Sequence, residues 1–503
     1  KNIDPFSQTV VTELETTGTA EILDTLLDEI PPGVVQMLDL NGLGPKKARV
    51  IWQKMGIDNL GELQYACIEN RLVGEKGFGL KTQEKIKQAI SQIRAQGTEF
   101  HFADVQPHVE AMEKLLLQEF GPDAKVAVTG EVRRKLPLVH GIEFVAEPAL
   151  YKAIMLLLVR APGYEILTAG ADLLQVTVRD TRILIDYHFK GVNFHLERFR
   201  TTGCTRHVEA IPIEENYMYS SEAEIYERAD LQSVRPELRE GHDELLLAHR
   251  GEIPRLIELH DLKGLLHVHT DWSDGLHSIE EMAHAARDMG MEYIGISDHS
   301  SAAHYANGLS AERAEAQIAE IDRLNQLLYP FRILKGIEVD ILPNGQLDFD
   351  EYTLAGFDFV LASVHSHLHM PQDQATARLL RAIRNPYVNI LAHPTGRLLL
   401  TRSGYEIDHR TVIDACAEHG VCIELNANPH RLDIDWTWIH YAVKQGVLIA
   451  INPDAHCKEA LHDVRWGVAA ARKGMLTPEW TLNAMNLEDI EELFLRKRKQ
   501  RIA

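Results

Sequence analysis

The chain is short of cysteine. It has five in 503 residues, Cys67, Cys204, Cys416, Cys422 and Cys457, and no two form a CxxC pair. That excludes a disulfide scaffold and fits the reducing cytoplasm. No apolar run reaches the ~18 residues of a membrane span and no secretory leader is visible, so no membrane partner is expected. Positive charge is also scarce, with 52 Lys+Arg against 74 Asp+Glu and a formal net charge of −22. A uniformly basic nucleic-acid coat is therefore excluded, though a local basic patch is not. What the chain does have is 45% hydrophobic residues. That suffices for real cores, and the length implies several domains. It begins at Lys1 rather than Met, so further residues are expected ahead of it. Nothing in the sequence sets the oligomeric state.

Residues 1–100 have a helical pattern broken by Gly-rich stretches. GLGPKKA at 42–48 and GFGLKTQ at 77–83 share G-apolar-G, a Lys, and a following helix, and NIDPFSQTVV at 2–11 is a weaker relative. Such loops offer backbone N–H groups and a cation to a phosphate. Across 41–100, Lys+Arg number 10 and Asp+Glu 6, a local excess of positive charge in an acidic chain. One Gly-rich loop is usually a plain turn, but two with the same Lys offset point to a helix-hairpin-helix DNA-binding region over 1–100. Gly42, Gly44, Lys46, Lys47, Gly77, Gly79 and Lys81 are its candidate contacts to the DNA backbone, without sequence readout. Residues 101–215 alternate helical stretches (108–119, 149–158) with the β-rich KVAVTG, LLQVTVRD and RILIDYHF. Residues 216–262 are charged and helical, with a break at RPELREG, and read as a connector.

From 264 on, seven short apolar runs alternate with mostly helical patterns: GLLHVH, YIGISDHS, RILKGIEVD, FDFVLASVHS, VNILAHP, VCIELNA and VLIAINPDAH. This rhythm predicts a closed parallel barrel one unit short of the usual eight. Six of the runs end in potential metal ligands: His267 and His269 with Asp274 just beyond, Asp298 and His299, Glu338, His365, His393, and Asp454 with His456. VCIELNA has no histidine, though Glu424 is nearby. In such a barrel the C-terminal strand ends converge on one face. Neutral imidazoles and carboxylates are ligands of divalent metals. The donors exceed one ion's needs and include no thiolate, which fits two or three ions of Zn, Mn or Fe. Glu338 is the best candidate to bridge them. Closely spaced ions suit phosphoester hydrolysis. Sixteen of the 25 histidines lie after residue 260, and most need no ligand role. His277, His284, His304, His409, His419, His440 and His462 sit in helical or loop patterns and are assigned structural roles. His367, His369 and His430 follow strand ends and are candidates for substrate contact. Asp271 and Ser273 are assigned turn roles.

The motifs HxHTxxSDG, SDH, GIE, VHS, AHP and DAH, in this order, resemble those of the PHP (polymerase and histidinol phosphatase) domain. The resemblance implies a (βα)7 barrel over 263–503, phosphoesterase chemistry and a trinuclear ligand set. That set falls on His267, His269, Asp274, His299, Glu338, His365, His393, Asp454 and His456. With the hairpins, IPPGVVQMLDLNGLGPKKARVIW and RPELREG, essentially the whole chain resembles bacterial family X DNA polymerases with a C-terminal PHP domain. It implies a nucleotidyltransferase-like α+β palm over 101–215 and a thumb-like connector over 216–262. The family's extreme N-terminal helices are not found.

Family members carry a palm motif of the form GSxRRxxxTVGDxD, and residues 129–147 read TGEVRRKLPLVHGIEFVAE. Gly130, Arg133 and Arg134 match. Glu131 stands for the Ser, Gly141 for the first aspartate and Glu143 for the second, while Asp186 matches the third. Gly141 offers no ligand and Glu131 brings negative charge to a triphosphate site, so Mg or Mn binding at the palm is expected to be impaired. FRTTGCTRHVEAI at 199–211 keeps the family's TG and little else. The expected function is a DNA-binding, metal-dependent phosphoesterase, acting as a 3′–5′ exonuclease or 3′-end processor in repair on gapped or 3′-end substrates. One alternative is an active Mn-dependent family X polymerase that fills gaps. A non-enzymatic DNA-binding scaffold is the other.

Overall fold

The computed structural model describes residues 5–40, 42–94 and 97–502, so the first residues of the 2–11 stretch lie outside it. The chain forms two compact units, Lys1–Arg94 and Ala95–Ala503.

The first unit is helical. Its core gathers Met37, Leu40, Ile51, Leu63, Leu72, Ile86 and Ile90. Both Gly-rich loops share one construction. Leu43 and Phe78, between the paired glycines, are buried, while Gly42, Gly44, Gly77 and Gly79 are exposed. The apolar residue anchors each loop and leaves its backbone at the surface. Gly42 and Gly77 have φ of +90° and +96°, a left-handed region that glycine enters without a Cβ penalty. Lys47 Nζ lies 5.4 Å from the centre of the Phe78 ring, which brings the two loops together.

The second unit opens with strand β1 (Phe100–His101), helix Phe102–Phe120, β2 (Val126–Thr129), β3 (Leu138–Val139) and β4 (Ile142–Ala146). Then come β5 (Tyr164–Ala169), β6 (Leu173–Val178) and β7 (Leu184–His188). A five-stranded sheet has the order β2-β4-β7-β6-β5, and β1 pairs with β3. β4 and β7 are parallel neighbours, with Glu143 opposite Asp186. Phe144 and Tyr187 stack at 5.1 Å beneath them. The sequence reading assigned strands to β2, β6 and β7 but left out β4 and β5. β4 is mostly buried and β5 mostly exposed, so neither shows a clean apolar–polar alternation. Residues 216–262 pack around Ile225, Tyr226, Val234 and Leu238.

The barrel follows with β8 (Gly264–Leu265), β9 (Tyr293–Ile296), β10 (Arg332–Asp340), β11 (Phe359–Ser363), β12 (Ile390–Leu391), β13 (Cys422–Asn426) and β14 (Ile449–Asn452). All seven are parallel neighbours in chain order. The bridge between Val268 and Ala455 brings the last strand back to the first. At the N-terminal end, Phe359 fills the interior and stacks at 5.7 Å on Phe494 of the C-terminal helix. Gly336 makes room for it, since a Cβ there would lie 2.2 Å from the Phe359 ring.

One buried cation joins barrel, palm and connector. Lys473 Nζ, on the barrel helix Val464–Lys473, donates to Arg134 O at 3.1 Å, Glu237 O at 3.2 Å and Glu240 Oε1 at 2.5 Å. It also lies 4.7 Å from the centre of the Trp436 ring. Among the described residues no helix is long and apolar enough to cross a membrane.

Candidate metal centre

At the C-terminal mouth of the barrel, the strand-end side chains meet. Glu338, inside β10, is at the centre. Its Oε1 lies 2.9 Å from His393 Nε2, 3.3 Å from His365 Nε2 and 3.4 Å from His267 Nε2. Its Oε2 lies 2.9 Å from His299 Nδ1 and 3.6 Å from His269 Nε2. Asp454 Oδ1 is 3.2 Å from His269 Nε2 and 3.4 Å from His267 Nε2. Asp274 Oδ1 is 3.5 Å from His456 Nε2, and its Oδ2 3.6 Å from His299 Nε2. Four groups result in which one ligand atom per residue lies within 4.8 Å of the others: His269, Asp274, His299 and His456; His267, His269 and Asp454; His267, Glu338 and His393; and His299, Glu338 and His365. Between them these groups use all nine residues of the ligand set.

Polar residues behind the site fix the rings. Glu424 Oε1 is 2.7 Å from His267 Nδ1 and accepts Asn452 Nδ2 at 3.0 Å. Its Oε2 accepts the His393 backbone N–H at 2.9 Å and Asn426 Nδ2 at 3.2 Å. Asp340 Oδ1 lies 3.3 Å from His365 Nδ1, and His456 Nδ1 is 3.0 Å from the Asp454 carbonyl. Such outer partners set tautomer and orientation. His393 and Asp454 hold positive φ of +24° and +53°, uncommon for residues with a Cβ and concentrated at functional sites.

The electrostatics also fit cations. Burial opposes ionisation of Glu338 and Asp454, yet the surrounding histidines outweigh it and hold both well below the usual carboxylate range. Asp274 is lowered too, with His456 and His299 outweighing burial. His269 is pushed down to about 3 by burial and by its neighbours His456 and His299, which leaves it a neutral imidazole. Burial opposes charge on His365, but Glu338 and Asp340 raise it to about 10. Ionised buried carboxylates need protons on the histidines or metal cations to balance them. Several ligand atoms, including His267 Nε2, both ring nitrogens of His269, Asp274 Oδ2 and Glu338 Oε2, are buried and make no hydrogen bond. Buried polar atoms are rarely left so, and divalent ions fit them.

Other strand-end residues take different places. Asp298 is fully buried and accepts from Thr270 N and Oγ1, Gln317 Nε2 and Ser273 Oγ. It is a spent acceptor outside the four groups, and it accounts for Ser273. His367 and His369 are exposed, and the His430 ring packs edge-on at 4.4 Å against His101. Glu424 was noted in the sequence as near its strand end but given no role, and Asp340 and Arg431, whose Nε is 3.6 Å from Asp454 Oδ2, were given no part in the sequence reading. Glu424 and Asn426 are polar residues two apart in a wholly buried strand, and that alternation was the available signal.

The palm residues are otherwise engaged. Arg133 pairs with Glu222 at 2.7 Å and donates to Thr202 Oγ1 at 2.6 Å. Arg134 bonds Glu240 at 3.1 Å and Thr202 O at 2.7 Å. Glu131 accepts the His140 backbone N–H at 2.9 Å. Glu143 lies beside Asp186 on the sheet and 3.3 Å from His188 Nε2. Burial raises the Asp186 carboxyl, aided by Glu143 and opposed by Gln175 and His188. Gly130 is tight, since a Cβ there would lie 2.1 Å from Glu143 Oε1. In the other unit, Lys46 and Lys81 are exposed and Lys47 is half-buried.

A seven-stranded parallel barrel with imidazoles and carboxylates at its mouth defines a metal-dependent hydrolytic enzyme of the PHP class. The PHP domain pattern matches residues 266–428. A probable phosphatase of Acetivibrio thermocellus is 33% identical over 38% of this chain and 78% of its own. The DNA polymerase/3′-5′ exonuclease PolX of Bacillus subtilis strain 168 is 36% identical over 97% of this chain and 89% of its own. The chain belongs to this PolX family, the bacterial family X DNA polymerases that end in a PHP domain.

Proposed function

We propose that the chain is a DNA 3′–5′ exonuclease or 3′-end-processing phosphoesterase of cytoplasmic DNA repair, with hydrolysis at the barrel mouth. The observation that carries the reading is Glu338, one buried carboxylate within 3.6 Å of five histidines. Two or three divalent ions, of Zn, Mn or Fe, are proposed to be held by the nine residues. Bound there, they supply Lewis-acid activation of water and neutralise charge on the phosphoester. The chain's own residues prepare for this. Glu424 and Asp340 orient His267 and His365, and Glu338 is shared between neighbouring ligand groups.

In this reading the exposed glycines and Lys46, Lys47 and Lys81 grip the DNA backbone, which suits gapped or 3′-ended substrates of any sequence. The palm serves as a platform. Arg133 and Arg134, which would serve a triphosphate, are bonded to Glu222 and Glu240 instead, and Glu131, which stands in place of the family's Ser, accepts from His140. A second reading, Mn-dependent polymerisation, draws support from Glu143 beside Asp186.

The test is a 5′-labelled gapped duplex with Mn, with and without dNTPs, on wild type and a His267→Ala/His269→Ala variant. Primer shortening by wild type alone supports the barrel nuclease. Shortening by both proteins refutes it. Lengthening with dNTPs in both proteins, lost in Asp186→Ala, supports the polymerase.

A further inference from the structure

Away from the barrel mouth, a cavity of about 800 Å³ opens beside the helix Phe194–Thr202 and the connector. That is the size of a small-molecule site. Six arginines line it, Arg133, Arg198, Arg235, Arg239, Arg255 and Arg472, against two carboxylates, Glu222 and Glu258. No ligand of the barrel set is among its lining residues.

The charges are not locally balanced. Arg255 is matched by Asp261 at 2.7 Å, and Arg472 by Glu237 at 2.5 Å. Arg133, Arg239 and Arg198 share the single carboxylate of Glu222, at 2.7, 2.5 and 3.7 Å. Arg198 is the outlier. Its Nε is buried and makes no hydrogen bond, and burial together with the neighbouring Arg133 pushes its guanidinium down to about 10. Arg235, exposed at the rim, adds a further cation. Arg198 shares Glu222 with two other guanidiniums and has Glu113 as its other nearby carboxylate, and partly buried cations so loosely paired are costly. An anion in the cavity would offset that cost, and the planar guanidinium fork matches the oxygens of a phosphate.

We propose that this cavity is a phosphate-binding site, separate from the barrel, that takes the phosphate of a free nucleotide or of a DNA end. Arg235 at the exposed rim, and Arg198, the most loosely held of the three guanidiniums at Glu222, supply its donors. Arg133 and Arg239 hold Glu222 at the back and complete the positive field.

Titration calorimetry on the full chain tests it. The probes are methylenediphosphonate, dATP, and a short single strand with or without a 5′-phosphate. Wild type is expected to bind methylenediphosphonate saturably, and Arg198→Gln/Arg235→Gln to bind it at least about tenfold more weakly, ~1.4 kcal/mol. Arg235→Gln alone, at an exposed position, is expected to fold as wild type and to weaken binding several-fold, so the test survives if the double variant unfolds. Variant-sensitive binding of dATP assigns the site to free nucleotides. A variant-sensitive preference for the 5′-phosphorylated strand assigns it to DNA ends. No saturable binding by wild type, or equal binding by wild type and Arg235→Gln, overturns the proposal, since binding at barrel metals would not depend on these arginines.

Discussion

Glu424 lies outside the nine-residue ligand set, yet replacing it with glutamine should weaken the barrel site. Its carboxylate accepts four hydrogen bonds, from His267 Nδ1, Asn452 Nδ2, the His393 backbone N–H and Asn426 Nδ2, and it is fully buried. Glutamine keeps the shape but turns one acceptor oxygen into a donating NH2. That group then faces either the His267 ring with Asn452, or the His393 N–H with Asn426. Either way one ligand histidine loses its acceptor and a buried donor is left unmet, at about 1–3 kcal/mol. The remaining bonds also lose their charge assistance. Outer-partner changes of this kind typically cost about 10–100-fold in metal affinity or activity. Nuclease assays on a 5′-labelled gapped duplex across a Mn titration should therefore show an apparent metal requirement raised by that factor. Bound metal, measured by plasma mass spectrometry after gel filtration, should fall in parallel. Glu424→Gln that matches wild type in both measurements, with an unchanged far-ultraviolet spectrum, would refute the reasoning.

Three further outcomes follow from the same structure. Burial opposes ionisation of Glu222 and Glu237, yet Arg239 and Arg133 lower the first below its ordinary 4.5, and Arg472 and Lys135 lower the second. Their stabilisation is fully present above 4.5 and lost as pH falls through the lowered values. Melting temperature should drop below that pH, and an unchanged acid limb in Glu237→Gln would count against the argument. Gly141→Asp should lower the melting temperature without increasing nucleotide incorporation, because a Cβ at Gly141 would lie 2.8 Å from Leu184 O, and overpacking costs about 1–3 kcal/mol. A gain in incorporation would show that β4 and β7 have room to part. Lys46→Ala with Lys81→Ala should make the dependence of log K on log salt shallower by about 2 for duplex DNA, measured by fluorescence anisotropy. An unchanged slope would remove these lysines from the interface.

The barrel was legible because a parallel strand is short, apolar and ends where function begins. Each run from GLLHVH to VLIAINPDAH marks its strand, and six of the seven deliver candidate donors to the same end. Glu338 stood out as the only glutamate among the donors, and the structure places it between two ligand groups. Asp298 sits at an equivalent strand end and looks the same in the sequence. Only the fold brings Thr270, Ser273 and Gln317 to its oxygens. The palm was less legible. β4 and β5 lack alternation, and the partners of Arg133 and Arg134, Glu222 and Glu240, lie about a hundred residues away. Spacing along a chain does not encode such pairings.

Lys473 bears on how such a chain can be shortened or recombined. A polymerase half cut before the barrel would lose Arg472, which pairs with the buried Glu237 carboxylate, and the ammonium that bonds the Glu237 and Arg134 carbonyls and Glu240. Unpaired buried carboxylates are strongly destabilising. The hydrolytic half, cut alone, would carry a buried lysine with none of those oxygens to meet it. Each half of this chain, cut alone, is therefore expected to be less stable than it is in the whole, and a truncation meant to isolate one activity should replace these buried charges as well.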